Sequence, residues 1–159
     1  MNHFLLCGSH PLLSLAEAAV LLPGPIPTVV ESMALFDRSP WDGGWLQKRL
    51  SGAVKIGDIM MSAPLSSFTA THLADLIDAL PRGNKIIFGL SLFGAPKEKN
   101  QLKQLPIQLK RVLQERKRSV RWFTGDKGIV SSAAVAKLDL IQTGYDLQVI
   151  IDAGQVYVV

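Results

Sequence analysis

The chain alternates apolar runs of strand length with stretches whose apolar residues recur at helical spacing. HFLLCGS (3–9) is the first strand-length run. A helical pattern follows, capped by Ser9 or His10, with Pro11 at the first helical position, where its missing N–H has no intrahelical partner to lose. Leu12, Leu15, Ala16, Ala19 and Val20 make its predicted apolar face, and Pro23, Gly24, Pro25 and Pro27 end it. TVVESMALFD (28–37) predicts a second strand. SPWDGGWLQKRLSG predicts a short helix closed by a left-handed cap at Gly52, and AVKIGDIMM (53–61) a third strand. The first part thus reads strand, helix, strand, helix, strand.

SAPLSSFTA (62–70) is small and polar and is the best candidate for a linker. Beyond it, THLADLIDALP spaces Leu73, Leu76, Ile77 and Leu80 as a helix that ends at Pro81-Arg82-Gly83. KIIFGLSLFG (85–94) is apolar enough for a central strand. A basic helix comes next, then SVRWFTG (119–125) as a strand. SSAAVAKLDLIQTG (131–144) predicts a helix that starts near Ser131 and Ser132 and stops at Gly144. YDLQVIIDAGQVYVV closes as a hairpin with its turn at Asp152, Ala153 and Gly154. The alternation predicts an α/β (α+β) chain of two small units, 1–64 and 65–159, with no repeat at a period of about 20–50 residues.

Composition supports a folded core, with 48% apolar and 19% charged residues. The single Cys7 allows no intramolecular disulfide and suits a reducing compartment. Cys7, His3, His10 and His72 stand at no spacing of a zinc site, so the histidines read as surface or capping residues and no metal is expected. The apolar run FLLCGSHPLLSLAEAAVLLPG lacks a basic lead and is broken by Gly8, Ser9, His10, Pro11, Ser14 and Glu17. It is too polar to span a bilayer, so a soluble, cytoplasmic protein with no membrane partner is expected.

Catalytic signals fail one by one. Gly89 to Gly94 has the glycine separation of a phosphate loop, but Ala95-Pro96 stands where Lys-Ser/Thr is required. As a nucleophile elbow the same segment offers Gly89 and Ser91, but Phe93 replaces the second glycine. A packed strand ending in a turn explains it better. No G-x-G-x-x-G occurs, and Asp75 and Asp78 read as helix-surface acids. No catalytic constellation is present.

Charge changes the picture. Residues 96–127 hold ten basic residues and three acids, a net of +7, whereas the rest of the chain nets −3. Local positive charge on a near-neutral body suits phosphate, and a solvated face kept for solubility is the ordinary alternative. On a helical wheel centred on Leu109, the apolar Leu102, Leu105, Val112 and Leu113 fall within about 60°. Lys103, Lys110, Arg111, Lys117 and Arg118 fall between about 80° and 200°. Arg116 lies beside the apolar stripe, near the terminal carbonyls. The outward face is a continuous basic stripe.

LQKRLSGAVKIGDIM resembles the gly-gly-x-val-lys-ile stretch near the start of tRNA (guanine-N2)-methyltransferases and related RNA methylases, with Ser51-Gly52 where that family often has two glycines. KIIFGLSLFG, the basic helix, SVRWFTGDKGIVSSAAVAKLDL and YDLQVIIDAGQVYVV together resemble the THUMP domain of those enzymes. The resemblance covers nearly the whole chain and is fullest from residue 47 onward. It implies a ferredoxin-like subdomain over 1–64 and a THUMP-like α/β RNA-binding domain over 65–159. Such a domain would grip the acceptor end of a tRNA and present a distant nucleotide to a catalytic domain.

The methylases continue into a Rossmann-like domain with an S-adenosylmethionine loop and an Asp/Asn-Pro-Pro-Tyr/Phe motif, and neither occurs in these 159 residues. The resemblance therefore implies an RNA-binding module with no catalytic residue or cofactor of its own. S-adenosylmethionine would belong to a catalytic domain outside this chain, itself a partner. Phosphates would meet Lys103, Lys110, Arg111, Lys117, Arg118 and Arg121, with Lys97, Lys99 and Lys127 as outer contacts. Backbone N–H groups near Ser131 and Ser132 would hold one more phosphate, and Trp122 would stack on an unpaired base or else sit in the core. Two rivals stand beside this reading: a module of a DNA methylase relative, and a protein-interaction domain whose basic stripe docks an acidic partner.

Overall fold

The computed structural model describes residues 3–22, 27–37, 42–80, 85–125 and 128–159. They divide into two compact units, Met1–Met61 with Val159 and Ser62–Val158.

The first unit runs β1 (His3–Cys7), α1 (Pro11–Leu21), β2 (Thr28–Val30), β3 (Met33–Phe36), α2 (Gly43–Arg49) and β4 (Ala53–Asp58). Its sheet has the order β2-β3-β1-β4 with antiparallel neighbours. A β-α-β-β-α-β succession in this arrangement is ferredoxin-like. The single strand expected over 28–37 is a hairpin. Glu31 takes a left-handed backbone (φ 51°), and the Ser32 carbonyl accepts from the Cys7 N–H at 2.8 Å.

The predicted face of α1 is also corrected. Ser14 and Ala18 are buried, whereas Leu12 and Val20 are 84% and 79% exposed. Apolar residues surround this helix, so periodicity alone cannot mark its inner side. Close approach decides it. Ser14 Oγ donates to the Gly52 carbonyl at 2.7 Å, and a Cβ on Gly52 would lie 2.6 Å from that hydroxyl. Glu17 accepts from Ser51 Oγ at 2.6 Å and from the Gly52 N–H at 2.9 Å. Gly52 is thus required by contact rather than by a left-handed cap. Helix α2 ends at Leu50 in extended backbone.

From Met61 onward the chain forms β5 (Met61–Pro64), α3 (Ala70–Ala79), β6 (Lys85–Phe93), α4 (Pro96–Gln101), α5 (Leu105–Glu115), β7 (Ser119–Phe123), α6 (Ser132–Lys137), β8 (Tyr145–Asp152) and β9 (Gln155–Val158), the elements of the second unit apart from Met61 itself. The sheet order is β5-β9-β8-β6-β7, with β6 parallel to both β7 and β8 and β9 antiparallel to β8. The β8–β9 turn falls where the sequence places it. Ala153 (φ 46°) and Gly154 (φ 77°) both take positive φ, as a two-residue hairpin loop of matching twist requires.

Residues 62–70 do not form a linker. Residues 61–64 are the edge strand β5, and the Leu65 N–H donates to the Gly154 carbonyl at 2.8 Å. Thr69 then caps α3 reciprocally: its side chain accepts from the His72 N–H, and His72 Nδ1 accepts from the Thr69 N–H at 3.1 Å.

Helices cover both faces of this sheet. Phe88 and Tyr145 share a register position, and the Tyr145 hydroxyl donates to the α3 carbonyls of Leu80 and Ile77. Helix α5 packs beside α3. On the opposite face Val130, Val135 and Leu140 cluster over Ile87, and a Cβ on Gly89 would come within 2.7 Å of Leu140. The helix expected over 131–144 stops at Lys137. Asp139 turns left-handed (φ 49°), and the Leu140 N–H closes onto the Val135 carbonyl at 3.0 Å. Gly144 is not a helix stop; its missing Cβ admits the Ile87 carbonyl, which would otherwise sit at 2.7 Å.

Candidate nucleic-acid interface

The basic segment folds as two helices rather than one. Pro96 opens α4, residues 102–104 turn, and Pro106 sits in the first turn of α5. Leu102, Leu105, Leu109 and Leu113 are buried, as the wheel predicts. The outward side carries Lys110, half-buried, and Arg111, exposed. Lys97 on α4 and Lys103 in the turn are exposed, and Lys99 is half-buried.

Beyond Glu115 the wheel fails. Lys117 takes a left-handed backbone (φ 59°), its N–H donates to the Gln114 carbonyl at 2.9 Å, and the Arg118 N–H donates to the Leu113 carbonyl at 3.0 Å. This closing motif turns the chain and separates the last three cations. Lys117 stays exposed. Arg116 and Arg118 turn inward to α3. Arg116 donates to Asp75 at 2.6 Å and to Asp78 at 2.7 Å, and Arg118 donates to Asp78 at 3.3 Å. Hydrogen bonding to Asp78, then to Asp75, raises the Arg116 guanidinium above its ordinary pKa. Arg118, placed on the outward stripe by sequence, therefore spends its charge inside the fold. The two aspartates are its partners and those of Arg116, not idle surface acids.

Strand β7 sends its two expected RNA contacts to opposite faces. Trp122 is in register with Phe88 and faces the α3–α5 side. Arg121 alternates to the other side, where its guanidinium lies 5.4 Å from the centre of the Phe123 ring. Half-buried Trp122 lines a crevice of about 500 Å³ between the end of β6, the α4–α5 elbow and the chain after β7, shared with Lys99, Asn100, Lys103, Ile107 and Thr124. Ser131 and Ser132 are exposed at the start of α6, on the same face as Arg121. Ser131 Oγ accepts from the Ala134 N–H at 3.2 Å, so one of the donors expected for phosphate is already engaged. Lys127 lies outside the described residues.

Lys99, Lys103 and Trp122 thus line one crevice, and Lys97, Lys110 and Arg111 lie on α4 and α5 with Lys117 just past them. Arg118 is taken up by Asp78, and Arg121, Ser131 and Ser132 lie on the opposite face. Asn100, Ile107 and Thr124 escaped the sequence reading. Asn100 and Ile107 reach the crevice through the α4–α5 elbow and Thr124 through the end of β7 beside β6, a meeting of segments that no local pattern reports.

Ser91 is fully buried, and its Oγ accepts from the Val130 N–H at 3.0 Å, a packing role rather than a nucleophile's. Among the described residues no group of three or more His, Cys, Asp or Glu side chains converges, and no helix is long and apolar enough to cross a membrane.

No protein-family model matches the chain, and no curated protein sequence matches it. Among solved structures, the crystal structure of TrmN from Thermus thermophilus is similar over 98% of this chain, with 13% identity and a TM-score of 0.47. The chain spans 44% of the length of that structure.

Proposed function

We propose that this chain is an RNA-binding module of an S-adenosylmethionine-dependent RNA methyltransferase, with the second unit gripping structured RNA such as tRNA. In this reading the ferredoxin-like unit is a spacer and docking surface, the second unit is THUMP-like, and the cofactor belongs to a catalytic domain outside these residues. The observation that carries it is the separation of charge on the α4–α5 side. Asp75 and Asp78, the acids of α3, are held by Arg116 and Arg118. Lys103, Lys110, Arg111 and Lys117 form no ion pair among the described residues and face outward. Cations so placed neutralise phosphates and release counterions, which a general solubility charge does not require.

Binding of intact tRNA, measured by fluorescence anisotropy over a salt series, tests the reading. Lys110→Glu with Arg111→Glu should weaken binding and flatten the slope of log K against log salt by about two units or slightly less. Both side chains project away from buried Leu109 and Leu113, so the fold should survive. Unchanged affinity and slope would reduce the stripe to surface charge. Loss of an acidic protein partner alone, with tRNA binding intact, would point to the protein-interaction rival.

A further inference from the structure

The crevice beside Trp122 lies where two connections diverge. From the end of β6 the chain passes to α4 and α5 on one face of the sheet. From the end of β7 it passes to α6 on the other. In open parallel sheets this divergence leaves a gap beyond the strand ends, and ligands bind there. Here the gap has a volume of about 500 Å³, within the range of small-molecule sites.

Its lining combines three chemistries. Leu92, Pro106 and Ile107 provide an apolar wall, and Trp122 adds an indole. Asn100, Thr124 and Lys103 supply an amide, a hydroxyl and an ammonium. Among the described residues the Asn100 and Thr124 side chains hold no hydrogen bond and Lys103 no ion pair, so these polar groups are available to a ligand. Gly125, at the crevice edge, lies close against Ile129, where a Cβ would fall 1.7 Å from the carbonyl oxygen.

We propose that this crevice binds one nucleotide, with its base against Trp122 and the apolar wall and its phosphate at Lys103. A plain hydrophobe would leave the amide, hydroxyl and ammonium unmatched. A bare anion would leave the indole and the apolar wall empty. A planar, hydrogen-bonding, anionic ligand uses all three. A free mononucleotide and an unstacked nucleotide of an RNA share this chemistry. The RNA source rests on the function proposed above; the free source does not.

The test is nuclear magnetic resonance of the full chain titrated with AMP, CMP, GMP and UMP, with adenosine and inorganic phosphate as controls. The indole N–H signal of Trp122, identified by its loss in Trp122→Phe, should shift saturably in the millimolar range with at least one nucleotide. The amides of Asn100 and Thr124 should move with it, and both controls should act more weakly. Trp122→Ala should abolish the nucleotide-induced shifts of the Asn100 and Thr124 amides while the first unit's amides stay in place. Lys103→Glu should weaken nucleotide binding about tenfold and leave adenosine unaffected.

An RNA hairpin with an unpaired 3′ tail that gives the same shifts, when its blunt form does not, would identify RNA as the source. Shifts with mononucleotides alone would identify a free-nucleotide site. Absence of any nucleotide-induced shift, or equal shifts with inorganic phosphate, would overturn the proposal. If those shifts are absent while Lys110→Glu with Arg111→Glu loses tRNA, the crevice falls and the RNA reading stands. If the shifts persist while that variant binds tRNA normally, the crevice stands and the RNA reading falls.

Discussion

Arg116 Nη1 lies 2.7 Å from Asp78 Oδ2, tying the end of α5 to α3. Both side chains are about one-third exposed, so water screens the pair and its contribution is modest, on the order of 1 kcal/mol or less. Arg116→Ala should lower the urea midpoint by a corresponding amount. It should cost no more in a background that already carries Asp75→Asn and Asp78→Asn than those changes cost by themselves. A loss of several kcal/mol would mean that the network carries packing as well as charge.

Lys117 combines an exposed charge with a left-handed backbone at the end of α5. Glycine adopts that conformation without the Cβ conflict, so Lys117→Gly should raise stability by about 0.5–1 kcal/mol. If Lys117 contacts phosphate, the same variant should flatten the salt slope of tRNA binding by about one unit. Thermal melts and the salt series read the two effects separately. A destabilised variant would show that the lysine side chain makes a structural contact.

Hydrogen bonds from Ser51 and the Gly52 N–H lower the Glu17 pKa below its ordinary value. A carboxyl group depressed in the folded state stabilises the fold above its unfolded pKa, and that contribution disappears as pH falls through the folded value. Wild-type stability should therefore decline as pH drops below the ordinary glutamate range, and Glu17→Gln should remove part of that decline. Urea titrations at a series of acidic pH values would show it. Parallel curves for the two proteins would refute the assignment.

Residues 62–70 look cleavable by composition, yet they hold edge strand β5 and the cap of α3. Limited proteolysis should spare them under native conditions, because a protease needs extended, unpaired backbone. Early cleavage between Ser62 and Ala70 would show that β5 frays from β9.

Much of the local structure was legible along the chain. The central apolar strand, the hairpin turn at Ala153-Gly154 and the buried stripe of α5 each follow from a pattern within one segment. So does the capping pair of Thr69 and His72, although its small polar setting disguised it as a linker. The apolar side of α1 could not be read, since apolar residues surround that helix and the choice lies with Ser14 against Gly52, 38 residues away.

The same limit applies to the candidate interface. Composition and helical spacing are local, and they put a net positive charge and its outward direction on the 96–127 segment. How that charge is used depends on neighbours distant in sequence. Asp75 and Asp78 capture Arg116 and Arg118 across roughly forty residues. Alternation along β7 puts Trp122 and Arg121 on opposite sides, but only the parallel register on β6, with Trp122 beside Phe88, decides that Trp122 takes the α3–α5 side. Periodicity describes a segment's own two sides, whereas ion pairing and strand register are contacts between segments, and these assemble the crevice.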